Sequence, residues 1–215
     1  MGAMFRHGPF VLTLSALLTG CVSPSGGGKR PPIAKGPATE VMKQCTADLG
    51  RLGARYTILP DQAFGGGCSA INAVLIQSAG VPVTNTKAVQ CPVARALSLW
   101  VRNVAQPSAK KVFGEPIIRI ESMGTYACRR INGAATGKLS EHATANAIDV
   151  SGFVLADGRH IRIETGWNGD QDTRKFLRYL RDGACKQFQT VLSPDYNAAH
   201  YNHLHFDMGA GPYCR

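Results

Sequence analysis

The stretch 147-AIDVSGFVLADGRHIRIE-164 decides the fold class. Two runs rich in β-branched and apolar residues, Ala147 to Leu155 and His160 to Glu164, flank Asp157-Gly158, a dipeptide suited to the positive φ angles of a tight hairpin turn. Downstream, residues 170–182 read as a helix with Phe176, Leu177 and Leu180 on one stripe, and strands are expected at 188–192 and 202–208. Upstream, Ile117 to Ile120 reads as a strand, and Gly124 to Arg129 as a turn into another. Pro92 suits a first helical position, and Val93, Leu97, Trp100, Val101 and Val104 recur at helical spacing, which predicts an amphipathic helix over 92–106. Nearer the start, Thr39 reads as the N-cap of a short helix reaching Leu49 and Gly50, with short strands at 56–59 and 70–76 around Gly65-Gly66-Gly67. Helices and antiparallel strands segregate along the chain without alternating βαβ units. The expected class is therefore α+β: one domain over residues 39–215, with a small antiparallel sheet and flanking helices.

The first twenty residues follow a different rule. Arg6 precedes an apolar or small stretch, Phe10 to Gly20, of about 11 residues, whereas a membrane-spanning helix needs roughly 20. The stretch ends in Leu18-Thr19-Gly20-Cys21, which resembles the bacterial lipobox; that resemblance implies cleavage before Cys21 and acylation of its thiol. An ordinary secretory signal is the alternative. With no acidic residue following Cys21, the expected location is the periplasm, anchored to the outer membrane. Residues 22–38, rich in Gly, Pro and Ser, lack any apolar period and are expected to act as a tether. The chain has 24 basic and 14 acidic residues; removing the leader takes one arginine and leaves a net charge of +9. Such a surface attracts polyanions, and in an exported protein these are anionic envelope polymers rather than nucleic acid. The sequence sets no oligomeric state.

Cys45, Cys68, Cys91, Cys128, Cys185 and Cys214 remain once Cys21 is set aside. An even number in an exported domain implies up to three disulfides, and sequence alone leaves about 15 pairings open. No C-x-x-C pair exists, which argues against metal binding by these thiols.

Two clusters carry chemistry. In 200-HYNHLHFD-207, strand alternation puts His203, His205 and Asp207 on one face, with Leu204 and Phe206 on the other. In 140-SEHATANAIDV-150, Asp149 lies in an apolar strand, pointing away from Ile148 and Val150, where a carboxylate needs a cation or donors. Together His142, Asp149 and His205 offer two nitrogens and an oxygen, a borderline set suited to zinc that leaves a fourth position for water. His203 is the candidate general base.

The succession G-T-Y-A-C-R-R, L-S-E-H-A-T-A-N-A-I-D-V-S-G-F, L-A-D-G-R, V-L-S-P-D-Y-N and H-Y-N-H-L-H-F-D, ending in Y-C-R, resembles the bacterial extensin-like C-terminal domain family from about Cys45 to Arg215. More distantly, S-x-H-x-x-x-x-A-x-D with a later H-x-H resembles the LAS zinc metallopeptidases, which include D-alanyl-D-alanine dipeptidases and cell-wall endopeptidases. The resemblance implies zinc on His142, Asp149 and His205, His203 as catalytic base, and Arg129 binding substrate or the developing oxyanion. From the residues alone, a surface salt bridge is equally open to Arg129. The expected function is zinc-dependent hydrolysis of peptidoglycan stem peptides or crosslinks, of the endopeptidase or carboxypeptidase type. The alternative is a non-hydrolytic peptidoglycan-binding lipoprotein whose zinc is structural, its fourth position filled by His203 or His200. The related peptidases usually place glycine where this chain has Ala145. If the backbone there needs a positive φ, alanine would be strained.

Overall fold

The computed structural model describes Met1, Gly2 and residues 38–215; Cys21, the apolar run and the segment 22–37 lie outside the described residues. Helix α1 (Ala38–Arg51) starts two residues before Glu40, so Thr39 is a helical residue rather than the expected N-cap, and the helix buries Cys45 and Leu49. Asp48, on the same helix, pairs with Arg51 and with Arg95 of α2 (Cys91–Trp100). A three-stranded antiparallel sheet follows in the order β1 (Arg55–Ile58), β4 (Ala73–Ser78), β5 (Ala88–Gln90). Between β1 and β4 stands a separate hairpin, β2 (Gln62–Gly65) and β3 (Cys68–Ala70), whose turn uses the positive φ of Gly65, Gly66 and Gly67. The run 70–76, expected as one strand, is broken at Asn72 (φ 51°), whose N–H donates to Asp61 Oδ1 at 2.7 Å.

The helix expected to end at Gln106 continues to Phe113. A wide π turn at Val101–Ala105 joins α2 to α3 (Gln106–Phe113), and the Gln106 N–H reaches back five residues to the Val101 carbonyl. That wider turn accommodates Pro107, which has no N–H to give, near the start of α3. Gly114 ends the helix in the left-handed conformation (φ 76°).

The main sheet runs β11 (Tyr213–Cys214), β9 (Thr190–Leu192), β10 (Leu204–Asp207), β7 (Ala147–Leu155), β6 (Ile117–Gly124), with β8 (His160–Arg162) also on β7. The β7–β8 hairpin forms over Asp157-Gly158 as expected, with φ 87° at Gly158. All pairings are antiparallel except β11 on β9. Gly124 to Arg129 is not a turn into a strand: β6 runs to Gly124, and residues 125–129 form a loop. Their backbone is engaged elsewhere, since the Ala127 N–H donates to His142 O and the Arg129 carbonyl accepts from the Ser140 N–H. In β7, Glu121 pairs with Gly152 and Ser122 with Val150, so Ser151 is an extra, bulged residue. The bulge reverses the alternation, so that Ile148, Val150, Phe153 and Leu155 all reach the core while Asp149 faces the other way.

Short α4 (Ile163–Gly166) leads into α5 (Gln171–Ala184), capped by Asp170 accepting from the Thr173 N–H. Its stripe of Phe176, Leu177 and Leu180 packs into the same core. Trp100 meets Phe206 edge-on at 5.2 Å, and Phe188 stacks on Phe206 at 4.7 Å. The helices thus cover one face of the sheet, and the polar residues of β7 and β10, Asp149, His205 and Asp207, turn to the other. Disulfides join Cys45 to Cys91, Cys68 to Cys128 and Cys185 to Cys214. Among the described residues no helix is long and apolar enough to cross a membrane.

Candidate metal centre

On that second face the antiparallel register sets His205 of β10 directly opposite Asp149 of β7. The third residue comes from a single helical turn, Glu141–Thr144, which Ser140 caps by accepting from the His142 N–H. Ala145 closes the turn with φ 57° and ψ 23°, so the positive φ considered for this position is present and is borne by a buried alanine packed on Ala70 and Ala73. One potential ligand atom from each of His142, Asp149 and His205 lies within 4.8 Å of the others, and all three residues are buried.

The polar contacts test whether these residues fit a cation. His142 Nδ1 lies 3.1 Å from the Thr125 carbonyl, which can only accept, so this nitrogen carries the proton. His205 Nε2 likewise donates to Asp207 Oδ2 at 2.9 Å. In their neutral forms both rings therefore turn lone pairs inward: His142 Nε2 and His205 Nδ1 stand 3.2 Å apart, at 3.1 and 2.9 Å from Asp149 oxygens. Three acceptors face one another, an arrangement that a positive charge must resolve. Burial disfavours charge on His205, but the hydrogen bonds and charges of Asp149 and Asp207 outweigh it and push its pKa up to about 9. Burial likewise pushes the Asp149 carboxyl up, and the His142 and His205 contacts outweigh it, holding it far below the ordinary carboxylate range. The set of two imidazoles and one carboxylate, each imidazole braced at its far nitrogen, fits zinc or a similar divalent ion.

The cluster opens on a cleft of about 630 Å³. His203 lines it, with Nδ1 donating to Asn202 Oδ1 at 2.9 Å and Nε2 3.6 Å from Asp149 Oδ1. Burial lowers its pKa, opposed by Asp149 and reinforced by His205, His142 and Arg129, so at neutral pH Nε2 keeps a free lone pair. His200 is similar: Nδ1 donates to Asn197 Oδ1 at 2.7 Å, and burial with the charges of His203 and His205 lowers its pKa to about 4. Arg129 is exposed and lines the cleft; among the described residues its guanidinium makes no ion pair, so the salt-bridge role left open for it is not taken up there. His160 lies away from the cleft, 3.5 Å from Glu121.

Sequence reasoning placed Asp207 on the right face but gave it no role, and it missed Thr125 altogether. Asp207 could have been read from the H-x-H-x-D spacing as a brace for the second histidine. Thr125 acts through a backbone carbonyl, which no side-chain pattern reports. A family model described as "Extensin-like protein C-terminus" matches residues 43–215. No curated protein and no solved structure matches the chain.

Proposed function

The chain belongs to the extensin-like C-terminal family, and from that premise and the cleft geometry we propose that it is a zinc-dependent hydrolase of peptidoglycan stem peptides or crosslinks. The observation that carries this reading is the convergence of His142, Asp149 and His205, acceptors inward and far nitrogens braced, on a cleft large enough for a peptide. His142 Nε2, Asp149 and His205 Nδ1 would hold the ion. When bound there, zinc supplies Lewis acidity, polarising a peptide carbonyl and lowering the pKa of a water molecule toward 7.

The remaining chemistry belongs to the chain. His203, kept neutral by burial and fixed in its tautomer by Asn202, offers Nε2 to take a proton from the attacking water and return it to the leaving amine. Arg129, unpaired among the described residues, can hold a substrate carboxylate or the oxyanion as charge develops. Against a purely structural zinc, neither His203 nor His200 belongs to the three-residue group. The basic chain suits an anionic wall polymer, and the lipobox-like end at Cys21 would hold it at the outer membrane facing the periplasm.

The test is digestion of purified peptidoglycan with the zinc-loaded protein, with mass analysis of the products. New peptide termini that vanish on chelation and return with zinc are expected. Undigested wall with stoichiometric zinc would leave a binding protein.

A further inference from the structure

Next to His142 stands a charged group that the mechanism above does not use. Glu141 lines the cleft half-buried, and Asn146 Nδ2 donates to its Oε2 at 2.7 Å. The backbone of Gly209 presses on the same carboxylate: a Cβ built there would lie 2.6 Å from both the Glu141 carboxyl carbon and Oε1. The side chain is therefore held in place rather than free to swing into solvent. No cationic side chain among the described residues pairs with it. A fixed, partly buried carboxylate without a counterion costs free energy unless a cation arrives from outside.

Two cations line the same wall, Lys138 and Arg129; the Arg129 carbonyl accepts from the Ser140 N–H, so that Arg129 and Glu141 occupy neighbouring backbone positions. Both line the cleft, and they do not pair with each other. A held anion and an unpaired cation that line one cleft without pairing to each other are complementary to a ligand that carries both charges. We propose that Glu141 is a specificity-determining residue that receives a free ammonium group of the substrate, while Arg129 takes the neighbouring carboxylate. The cleft would then select a zwitterionic residue, such as a diamino acid whose second amine is unacylated. This rests on the peptidoglycan reading and narrows it to stems whose amine is not already in a crosslink.

The test uses the full zinc-loaded protein and a stem tripeptide ending in meso-diaminopimelate, with its side-chain amine free or acetylated. Kd is measured by calorimetry for the wild type and for Glu141→Gln, which still offers an oxygen to Asn146. Acetylation is expected to weaken wild-type binding by about 10-fold or more, the scale of a hydrogen bond to a charged group, and Glu141→Gln binding by less than about 2-fold. With a cleavable stem peptide, Glu141→Gln should raise KM and leave kcat near the wild-type value. Equal sensitivity to acetylation in both proteins, or no binding of either tripeptide, overturns the inference whether or not the protein digests whole peptidoglycan. Amine-dependent binding without digestion upholds it and removes the hydrolase reading instead.

Discussion

His203 and His205, two residues apart, carry different assignments, and substitution separates them. His205→Ala removes one of the three inward-facing groups, so zinc content and hydrolysis should fall together. His203→Ala leaves that group whole, so zinc should stay near one equivalent while turnover drops by about a hundredfold or more. Zinc by mass spectrometry and hydrolysis on the same batches decide it; loss of zinc from His203→Ala would reverse the roles. Asp207 acts one step further out: Asp207→Ala frees His205 Nε2 and should weaken zinc binding by about 10- to 100-fold in a chelator competition. An unchanged affinity would reduce Asp207 to a packing role. Much of this centre was legible, because alternation on a strand fixes which of His203, Leu204, His205, Phe206 and Asp207 share a face. What spacing could not supply is the partner of the far nitrogen of His142. It is a backbone carbonyl, Thr125 O, brought up by the loop 125–129, where the sequence suggests a turn into a strand.

Among the elements, the hairpin at 147–162 and the helix at 171–184 follow from patterns their own residues contain. The longer helix does not, because proline is ordinarily a helix terminator and its accommodation depends on a local widening that no apolar period announces. That π turn has a structural neighbour: a Cβ at Gly183 of α5 would lie 2.3 Å from Val104 Cγ1 and 3.1 Å from its Cβ, so rotation of the valine alone cannot make room. Gly183→Ala should therefore destabilise the fold by about 1–3 kcal/mol, the range for overpacking a filled site, despite alanine's better helix propensity. Denaturant midpoints measure it, and a stabilised variant would mean that α5 can shift away from the π turn. Strand β11 was not foreseen, since its two residues are too few to carry a period; its place is set by the Cys185–Cys214 bridge and by pairing with β9.

For the molecule as a whole, α1 is secured to α2 by the Cys45–Cys91 bridge and by the ion pairs of Asp48. Burial pushes the Asp48 carboxyl up, but Arg95, with Arg51 and Gln44, outweighs it and lowers its pKa below the ordinary 3.8. A depressed folded pKa means stability that is present above the unfolded value and is lost as pH falls through the folded one. Asp48→Asn should therefore be less stable than the wild type near neutral pH, with a gap that closes as pH falls below about 3.8. A gap constant down to strongly acid pH would exclude the ion pairs as its source. The number of bridges was legible from the cysteine count, but their pairing depends on the finished fold. In a chain-entropy account each closes a loop worth about 4 kcal/mol, for separations of 46, 60 and 29 residues. Drawn as a map of crosslinks, the bridges between 45 and 128 overlap and the last covers 185–214, so residues 129–184, with His142 and Asp149 among them, fall inside no covalent ring. An ion held by Asp149 and His205 would close a ring across 56 residues of sequence separation and clamp residues 149–184 of the stretch that the disulfides skip. Exposed Arg159, in the hairpin turn inside that ring, should then be cut by trypsin faster in the chelated protein than in the zinc-loaded one, which would make the ion a guard against proteases.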